Sequence, residues 1–209
     1  MTLTEVLVVV AVLLILAVLL LQWLQTARKR SSRIGCNTNL KQVGLAYRLW
    51  ANDNFDNFPM RVPVTSGGSM EMAATGDVLQ TFLVMSNELF SPIVLHCWED
   101  SATTATRSFA GLSNSNISYF VGVDVTNYAS PQMILAGDSN FEIGGVPVRP
   151  GLCSFSTNDP VAWTGARHRS TTGSGNLGLA DGSVQSLSSG MLCHNLELTG
   201  LATNRFAIP

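Results

Sequence analysis

The residues that could do chemistry in this chain of 209 residues are few and widely spaced. The chain has only three histidines, and its serines lie in no G-x-S-x-G turn, the setting that exposes a nucleophilic hydroxyl. Arg167-His168 and Asp181-Gly182 therefore predict structural loops rather than a catalytic site. An enzyme is the class of function that this sequence favours least.

Asn52, Asn54 and Asp56 alternate like the first ligands of a calcium-binding loop. The segment lacks the glycine at the sixth position and the acid at the twelfth that such loops use. Residues of these types also form the turn that ends a helix. We expect no cofactor and no metal, with this triplet as the weak calcium candidate.

The four cysteines are Cys36, Cys97, Cys153 and Cys193. None of them forms a C-x-x-C pair or has the spacing of a zinc motif. In an exported protein an even number of cysteines permits disulfides, and four allow three pairings among which the sequence does not choose. The alternative is four small buried thiols.

Glu5 stands at the edge of a long apolar run. Val6 to Leu21 is sixteen consecutive apolar residues, and with Trp23 and Leu24 the run approaches the roughly 20 residues that span a bilayer. A carboxylate at this depth costs up to about 3 kcal/mol. The nearest cation along the helix is Arg28, roughly 35 Å away at about 1.5 Å per residue. No cation of the same chain is therefore expected to reach Glu5.

A free α-amino group at Met1 of a neighbouring copy would serve as the partner of Glu5. That pairing requires a neighbour shifted by about four residues, and such a head-to-tail stagger does not close, so it gives a filament. A signal peptide is one alternative, although the segment lacks basic residues before the run and an A-x-A site after it. A plain signal anchor is another, and it leaves Glu5 unexplained.

The segment Met1-Thr-Leu-Thr-Glu5-Val-Leu-Val-Val-Val-Ala resembles the mature N-terminus of type IV pilins and pseudopilins, usually written F-T-L-I-E-L-L-V-V-I-A. The resemblance implies that a prepilin peptidase removes a short basic leader and N-methylates residue 1. The segment differs from the family in Met1, where phenylalanine is usual. The chain also has Gln22 where many pilins have a helix-breaking proline.

Four cations follow the apolar run, at Arg28, Lys29, Arg30 and Arg33. The positive-inside rule predicts that such a cluster keeps the C-terminal side in the cytoplasm. This prediction opposes an extracellular domain unless a leader carries more charge on the other side.

The helical pattern continues past the apolar run to about residue 53. One amphipathic stripe recurs at spacings of four and three and predicts the contact between the helix and a sheet. Asn52 to Asn57 and then Pro59 provide the stop signals. The residues of the stripe are Cys36, Leu40, Val43, Tyr47 and Trp50.

Beyond Pro59 the chain is rich in turns and in short β-type runs, which predicts an antiparallel sheet laid on the helix, an α+β fold. Asp181-Gly182 is the strongest hairpin signal. The predicted elements are a helix at Val78–Met85 and strands at Ile93–Cys97, Ile117–Val123, Met133–Ala136, Asn176–Ala180 and Ser183–Leu187.

Further blocks resemble the large prepilin-type proteins of planctomycetes and verrucomicrobia. They are Cys36-Asn-Thr-Asn-Leu-Lys-Gln-Val-Gly, Leu95-His-Cys-Trp-Glu-Asp100, Arg167-His168, Asn176-Leu-Gly-Leu-Ala-Asp-Gly-Ser-Val and the ending Asn204-Arg-Phe-Ala-Ile-Pro209. The resemblance implies a pilin-like fold: a long helix over about residues 2–53 packed on an antiparallel sheet. It divides the chain into a membrane or filament-core half-helix (1–25), an amphipathic half-helix (26–53) and a β-rich head (54–209).

Charged residues make up only 12% of the chain, and the net charge of −2 gives no reason to expect nucleic acid as a partner. A thinly charged surface suits close packing between subunits, because few charges need be buried there. The expected partners are other copies of the chain, the prepilin peptidase, the inner-membrane assembly machinery and, before assembly, the membrane. We expect an inner-membrane precursor and then an extracellular filament; a secretion pseudopilin or a membrane-anchored binding module are the alternatives.

Overall fold

The computed structural model describes residues 2–125, 130–165 and 173–209, and it divides the chain into two compact units. The first unit is Met1–Ile34 and the second is Gly35–Pro209. The first consists of the apolar part of helix α1, which covers Leu3–Asn52 in all. The second contains the rest of that helix and every other element.

Helix α1 begins and ends within one residue of the predicted bounds. It contains no proline, and its N-terminal half lacks any residue that would break a helix. The chain leaves the helix through a tight turn, in which Asp56 N–H donates to the Ala51 carbonyl at 2.9 Å. Phe55 and Asp56 both have positive φ there, at 55° and 60°.

Short helices follow α1. The predicted helix at Val78–Met85 is confirmed as α3, and the Asp77 carboxylate caps it by accepting Gln80 N–H. Helix α5 lies near the C-terminus and has no counterpart in the prediction. The bounds are α2 Met70–Ala74, α3 Val78–Val84, α4 Ser86–Leu89 and α5 Ser189–Leu198, with 3-10 helices at Pro59–Arg61, Val64–Ser66, Pro92–Leu95, Phe109–Gly111 and Asn114–Asn116.

The predicted strand at Ile93–Cys97 is wrong, because residues Pro92–Leu95 form a 3-10 helix. Pro92 occupies its first turn, where its fixed φ suits a helix and its missing N–H costs nothing. Val94 and Leu95 are buried, as a core strand would also have required, but they belong to this 3-10 helix.

The described residues of the second unit form two antiparallel sheets. The larger has six strands in the order β5-β9-β1-β2-β7-β8, and the smaller has three in the order β4-β3-β6. The predicted strands near β1, β2, β7 and β8 are confirmed, whereas β3, β4, β5, β6 and β9 were not predicted. The bounds are β1 Tyr119–Gly122, β2 Ile134–Asp138, β3 Phe141–Ile143, β4 Val146–Pro147, β5 Gly151–Ser156, β6 Val161–Trp163, β7 Ser174–Leu179, β8 Val184–Ser188 and β9 Thr203–Ile208.

The six-stranded sheet has an apolar core on each face. Because side chains alternate along a strand, Tyr119 and Val121 of β1 join the core formed with α1, while Phe120 between them joins the other core. That second core includes the small sheet and α5. Its aromatic centre is Phe120, whose ring stacks on that of Phe206 at 4.3 Å between centroids. The second unit thus has three layers, namely the second half of α1, the six-stranded sheet, and a layer formed by the small sheet and α5. This is an α+β arrangement.

Candidate functional site

The first unit exposes a helix that is apolar on all sides. Leu3–Gln25 is long and apolar enough to cross a membrane, and none of it is buried within the protein. A signal sequence near an N-terminus has the same two properties. Apolar side chains exposed around the whole helix need a partner, which lipid or other protein chains would provide.

Glu5 lies in the first turn of this helix and bonds to the backbone that precedes it. Its Oε2 accepts Thr2 N–H at 2.7 Å, and Glu5 N–H donates to the Thr2 carbonyl at 3.1 Å. Thr2 occupies the N-cap position and Glu5 the third helical position, so this is the acidic half of a capping box. Met1, the proposed assembly partner of Glu5, lies outside the described residues.

The sequence predicts a cation as the partner of Glu5, whereas in the structure a backbone N–H binds its carboxylate. The signal was present, because Thr2-x-x-Glu5 before an apolar run is the sequence pattern of a capping box. The bond supplies a local role for Glu5 that needs no second copy.

In the second unit the predicted amphipathic stripe faces the core. Its five residues are among the most buried of the protein, with exposed fractions from 0 to 6%, and all five belong to the core that the sheet shares with α1. Tyr47 packs edge-on against Phe58 at 6.0 Å between ring centroids. These residues are Cys36, Leu40, Val43, Tyr47 and Trp50.

A disulfide joins α1 to the segment after the 3-10 helix Pro92–Leu95. It links Cys36 and Cys97, whose Cα atoms are 4.9 Å apart and whose positions differ by 61 residues. Two hydrogen bonds reinforce the same crossing: Asn39 Nδ2 donates to the His96 carbonyl at 2.9 Å, and Tyr119 Oη donates to the Cys36 carbonyl at 3.2 Å. Cys153 and Cys193 remain free thiols, both half-buried.

A buried chain of hydroxyls lies beside the disulfide. His96 Nδ1 is 2.9 Å from Thr103 Oγ1, which is 2.8 Å from Ser118 Oγ, and that oxygen accepts Cys97 N–H at 3.0 Å. Burial lowers the pKa of His96, although the charge of Asp100 acts in the opposite direction. The His96 ring thus lies at one end of a buried polar network beside the disulfide.

A second, partly buried network joins three strands of the large sheet. The Asp138 Oδ2 atom of β2 accepts Asn176 N–H at 2.7 Å and Asn176 Nδ2 at 2.8 Å. Ser186 of β8 donates to Asn176 Oδ1 at 2.5 Å. Asp138 is completely buried, so this carboxylate binds β7 from within the sheet.

Asp181 and Gly182 form the turn between β7 and β8, which pair antiparallel. The Asp181 carboxylate accepts Ser183 N–H at 2.8 Å, and Gly182 has a φ of +85°. Arg48 of α1 donates to the Asp181 carbonyl at 2.9 Å. The turn is therefore docked on the helix. Arg167 and His168, the other predicted loop residues, lie outside the described residues.

The calcium candidate lies in the turn that ends α1. Asn54 Nδ2 donates to the Trp50 carbonyl at 2.8 Å, and Asn52 Nδ2 donates to Asp53 Oδ1 at 3.4 Å. Both side-chain amides thus donate hydrogen bonds to acceptors of the chain itself. Within the described part of the chain, no group of three His, Cys, Asp or Glu residues is placed to hold a metal ion.

No family model matches this chain, and comparisons with curated proteins and with solved structures give no match either.

Proposed function

We propose that this chain is a structural subunit of a type IV pilus-like filament, which polymerises through its N-terminal helix. The observation that carries the proposal is the exposed apolar helix Leu3–Gln25, whose first turn carries an acid, Glu5. The helix needs an apolar environment around its whole circumference. A filament core of packed helices supplies one after the subunit leaves the membrane.

The capping bond does not by itself account for the charge of Glu5. Glutamine fills the same position of a capping box, because only an acceptor for the N-cap N–H is required. A carboxylate in an apolar run carries an additional desolvation cost. We infer that the charge is retained for a cation outside the described chain, namely the N-terminal amine of a neighbouring copy.

The disulfide supports an extracytoplasmic position for the second unit. Disulfides persist in oxidising compartments and are rare in the cytoplasm. Cys36–Cys97 lies on the C-terminal side of the basic cluster, so it favours the orientation opposite to the one that the positive-inside rule gives. We therefore propose a precursor in the inner membrane whose second unit faces outwards and is later incorporated into an extracellular filament.

The test separates the capping role of Glu5 from its charge. Glu5→Gln keeps an acceptor for Thr2 N–H and removes the charge, Glu5→Asp keeps the charge, and Glu5→Ala removes both. If a neighbour's amine binds the carboxylate, Glu5→Gln assembles as poorly as Glu5→Ala in electron micrographs of the cell surface. If Glu5→Gln formed normal filaments, the charge of Glu5 would not be needed for assembly, and capping of the helix would be its whole role.

Two further measurements complete the test. Mass spectrometry of the N-terminus should find a processed, N-methylated first residue. Membrane insertion of each variant, followed by fractionation, controls for loss of the precursor. A parent chain that is processed and inserted but never forms fibres would overturn the filament proposal and favour a membrane-anchored module.

A further inference from the structure

The second unit leaves an apolar stripe of α1 uncovered on the side away from the sheet. Leu45 and Leu49 lie one helical turn apart, and 56% and 49% of their surfaces are exposed. Asp53 follows one turn later and is also exposed. Phe55 lies just beyond, with 95% of its surface exposed. We call Leu45, Leu49 and Asp53 the acidic stripe.

The first unit carries the same spacing with the opposite charge at its end. Leu20 and Leu24 lie one turn apart, with 63% and 51% of their surfaces exposed, and Arg28 is the helical position one turn later. We call Leu20, Leu24 and Arg28 the basic stripe. In both stripes two leucines precede a charge at four-residue intervals, and the two leucines of each stripe lie in line along α1. Arg28 continues the basic stripe within the helix, whereas Asp53 is the residue that directly follows the end of α1.

Charge complementarity indicates what covers the acidic stripe. Residues 1–34 contain four cations and one acid, a net charge of +3, whereas residues 35–209 contain eight cations and thirteen acids, a net charge of −5. Helix α1 has no basic residue in its last turn, where the helix dipole presents partial negative charge. A cation is therefore favoured at Asp53, and the first unit of another copy supplies a cluster of four.

We propose that the acidic stripe of one copy is covered by the basic stripe of a second copy, lying parallel and displaced by 25 residues. This inference rests on the proposed filament function and names one of its subunit contacts. The displacement, about 37 Å at 1.5 Å per residue, brings Leu20 level with Leu45 and Leu24 level with Leu49. It also brings Arg28 level with Asp53.

The contact joins two different surfaces of the same chain, so it is heterologous and propagates without closing. It buries apolar side chains at its centre and places the opposite charges at one end. Phe55 lies beside that end, where its exposed ring provides a face for a cation. The neighbour that pairs with Glu5 is a different one, because its displacement is about four residues; a helical array gives each subunit several neighbours.

Disulfide trapping tests the register. In a Cys153→Ser, Cys193→Ser background, Leu24→Cys together with Leu49→Cys should give a ladder of disulfide-linked multimers from purified filaments under oxidation. Leu13→Cys together with Leu49→Cys is the matched control. Position 13 is exposed and nearly on the same helical face as position 24, but about 16 Å from it along the axis. The control should give little or no ladder.

The outcomes separate the two proposals. Filaments without a ladder from the Leu24–Leu49 pair, or with an equal ladder from the control, overturn the register and leave the filament function standing. A parent chain that forms no filaments overturns both.

Charge reversal gives a second, independent test. Arg28→Glu should lower filament yield about tenfold, because it places like charges together, and adding Asp53→Arg should restore the yield to within about twofold. Lys29→Glu makes the same charge change about 100° around the helix, and Asp53→Arg should not rescue it. Membrane insertion and the Cys36–Cys97 disulfide control for folding. Failure of the double reversal to exceed the single variants, with both controls intact, would contradict the contact.

Discussion

At the scale of single residues, some buried polar groups of the second unit have a hydrogen-bond partner, and others have none among the described residues. Tyr47 and Tyr119 are both completely buried, but their hydroxyls differ. Tyr119 donates to the Cys36 carbonyl, whereas the Tyr47 hydroxyl has no hydrogen-bond partner among the described residues. Burial raises the pKa of both phenols, and at Tyr119 the charges of Asp138 and Asp100 act in the same direction.

This difference predicts opposite effects of the same substitution. Tyr47→Phe removes an unsatisfied hydroxyl and should leave the free energy of unfolding unchanged or raise it by about 1 kcal/mol. Tyr119→Phe removes a hydroxyl that is hydrogen-bonded in the folded protein, so it should lower that free energy by about 1 kcal/mol. Urea unfolding of the detergent-solubilised chain measures both. A loss on Tyr47→Phe equal to that on Tyr119→Phe would show that Tyr47 has a partner.

At the scale of elements, the turn between β7 and β8 depends on one glycine. A Cβ atom at Gly182 would lie 3.0 Å from Arg48 Nη1 and 3.1 Å from its Cδ, and the φ of +85° is unfavourable for any other residue. Gly44 on the facing helix differs, because a Cβ atom there would have its nearest neighbour, Gly182 Cα, at 3.9 Å.

Alanine substitutions at these two glycines should therefore have opposite signs. Gly182→Ala should destabilise the protein by about 1–2 kcal/mol through its backbone conformation. Gly44→Ala should stabilise it by up to about 1 kcal/mol, since alanine is the better helix former and space is available. Thermal unfolding of the two variants side by side checks this. Destabilisation by Gly44→Ala would mean that the helix and the turn need closer contact.

The elements also differ in how well the sequence predicts them. Helix α1 and the β7–β8 hairpin carry local signals, namely a 3-4 periodicity and an Asp-Gly turn, and both form as predicted. Strand β9 and helix α5 have weaker signals. Leu192, Asn195 and Leu196 of α5 are buried at helical spacing, but only these three of its ten residues are. The small sheet has strands of two or three residues, too short for a period to appear.

The candidate site shows the same limit. The capping role of Glu5 could be predicted from Thr2-x-x-Glu5, because it is local. The pairing of Cys36 with Cys97 could not, since it depends on how the segment after Pro92 folds back onto α1. A strand at Ile93–Cys97 would have given Cys97 a different position in space. Pro92 was the sequence signal for the 3-10 helix that forms there instead.

At the scale of the whole molecule, the disulfide and the basic cluster favour opposite orientations in a membrane. The orientation is directly testable by counting thiols in cells. If the second unit is outside the cytoplasm, a maleimide reagent applied after denaturation should modify two cysteines without reduction and four after it. Cys36→Ser should release Cys97 and give three. Four reactive thiols in the unreduced parent chain would place the second unit in the cytoplasm.

The Cys36–Cys97 disulfide also raises the free energy of unfolding of the second unit. In the chain-entropy description, closing a loop between residues 61 apart contributes about 4 kcal/mol. That amount is a large part of the stability of an ordinary domain. We therefore expect the second unit to need an oxidising environment for its full stability.

The disulfide also has a mechanical consequence. It attaches the segment that ends at Cys97 directly to α1, the element through which a filament subunit would bear load. Under tension, the 61-residue separation between the cysteines cannot lengthen while the bond is intact. That hidden length is roughly 200 Å of contour, at about 3.3–3.6 Å per residue. A fibre of such subunits would be far less extensible when oxidised than when reduced.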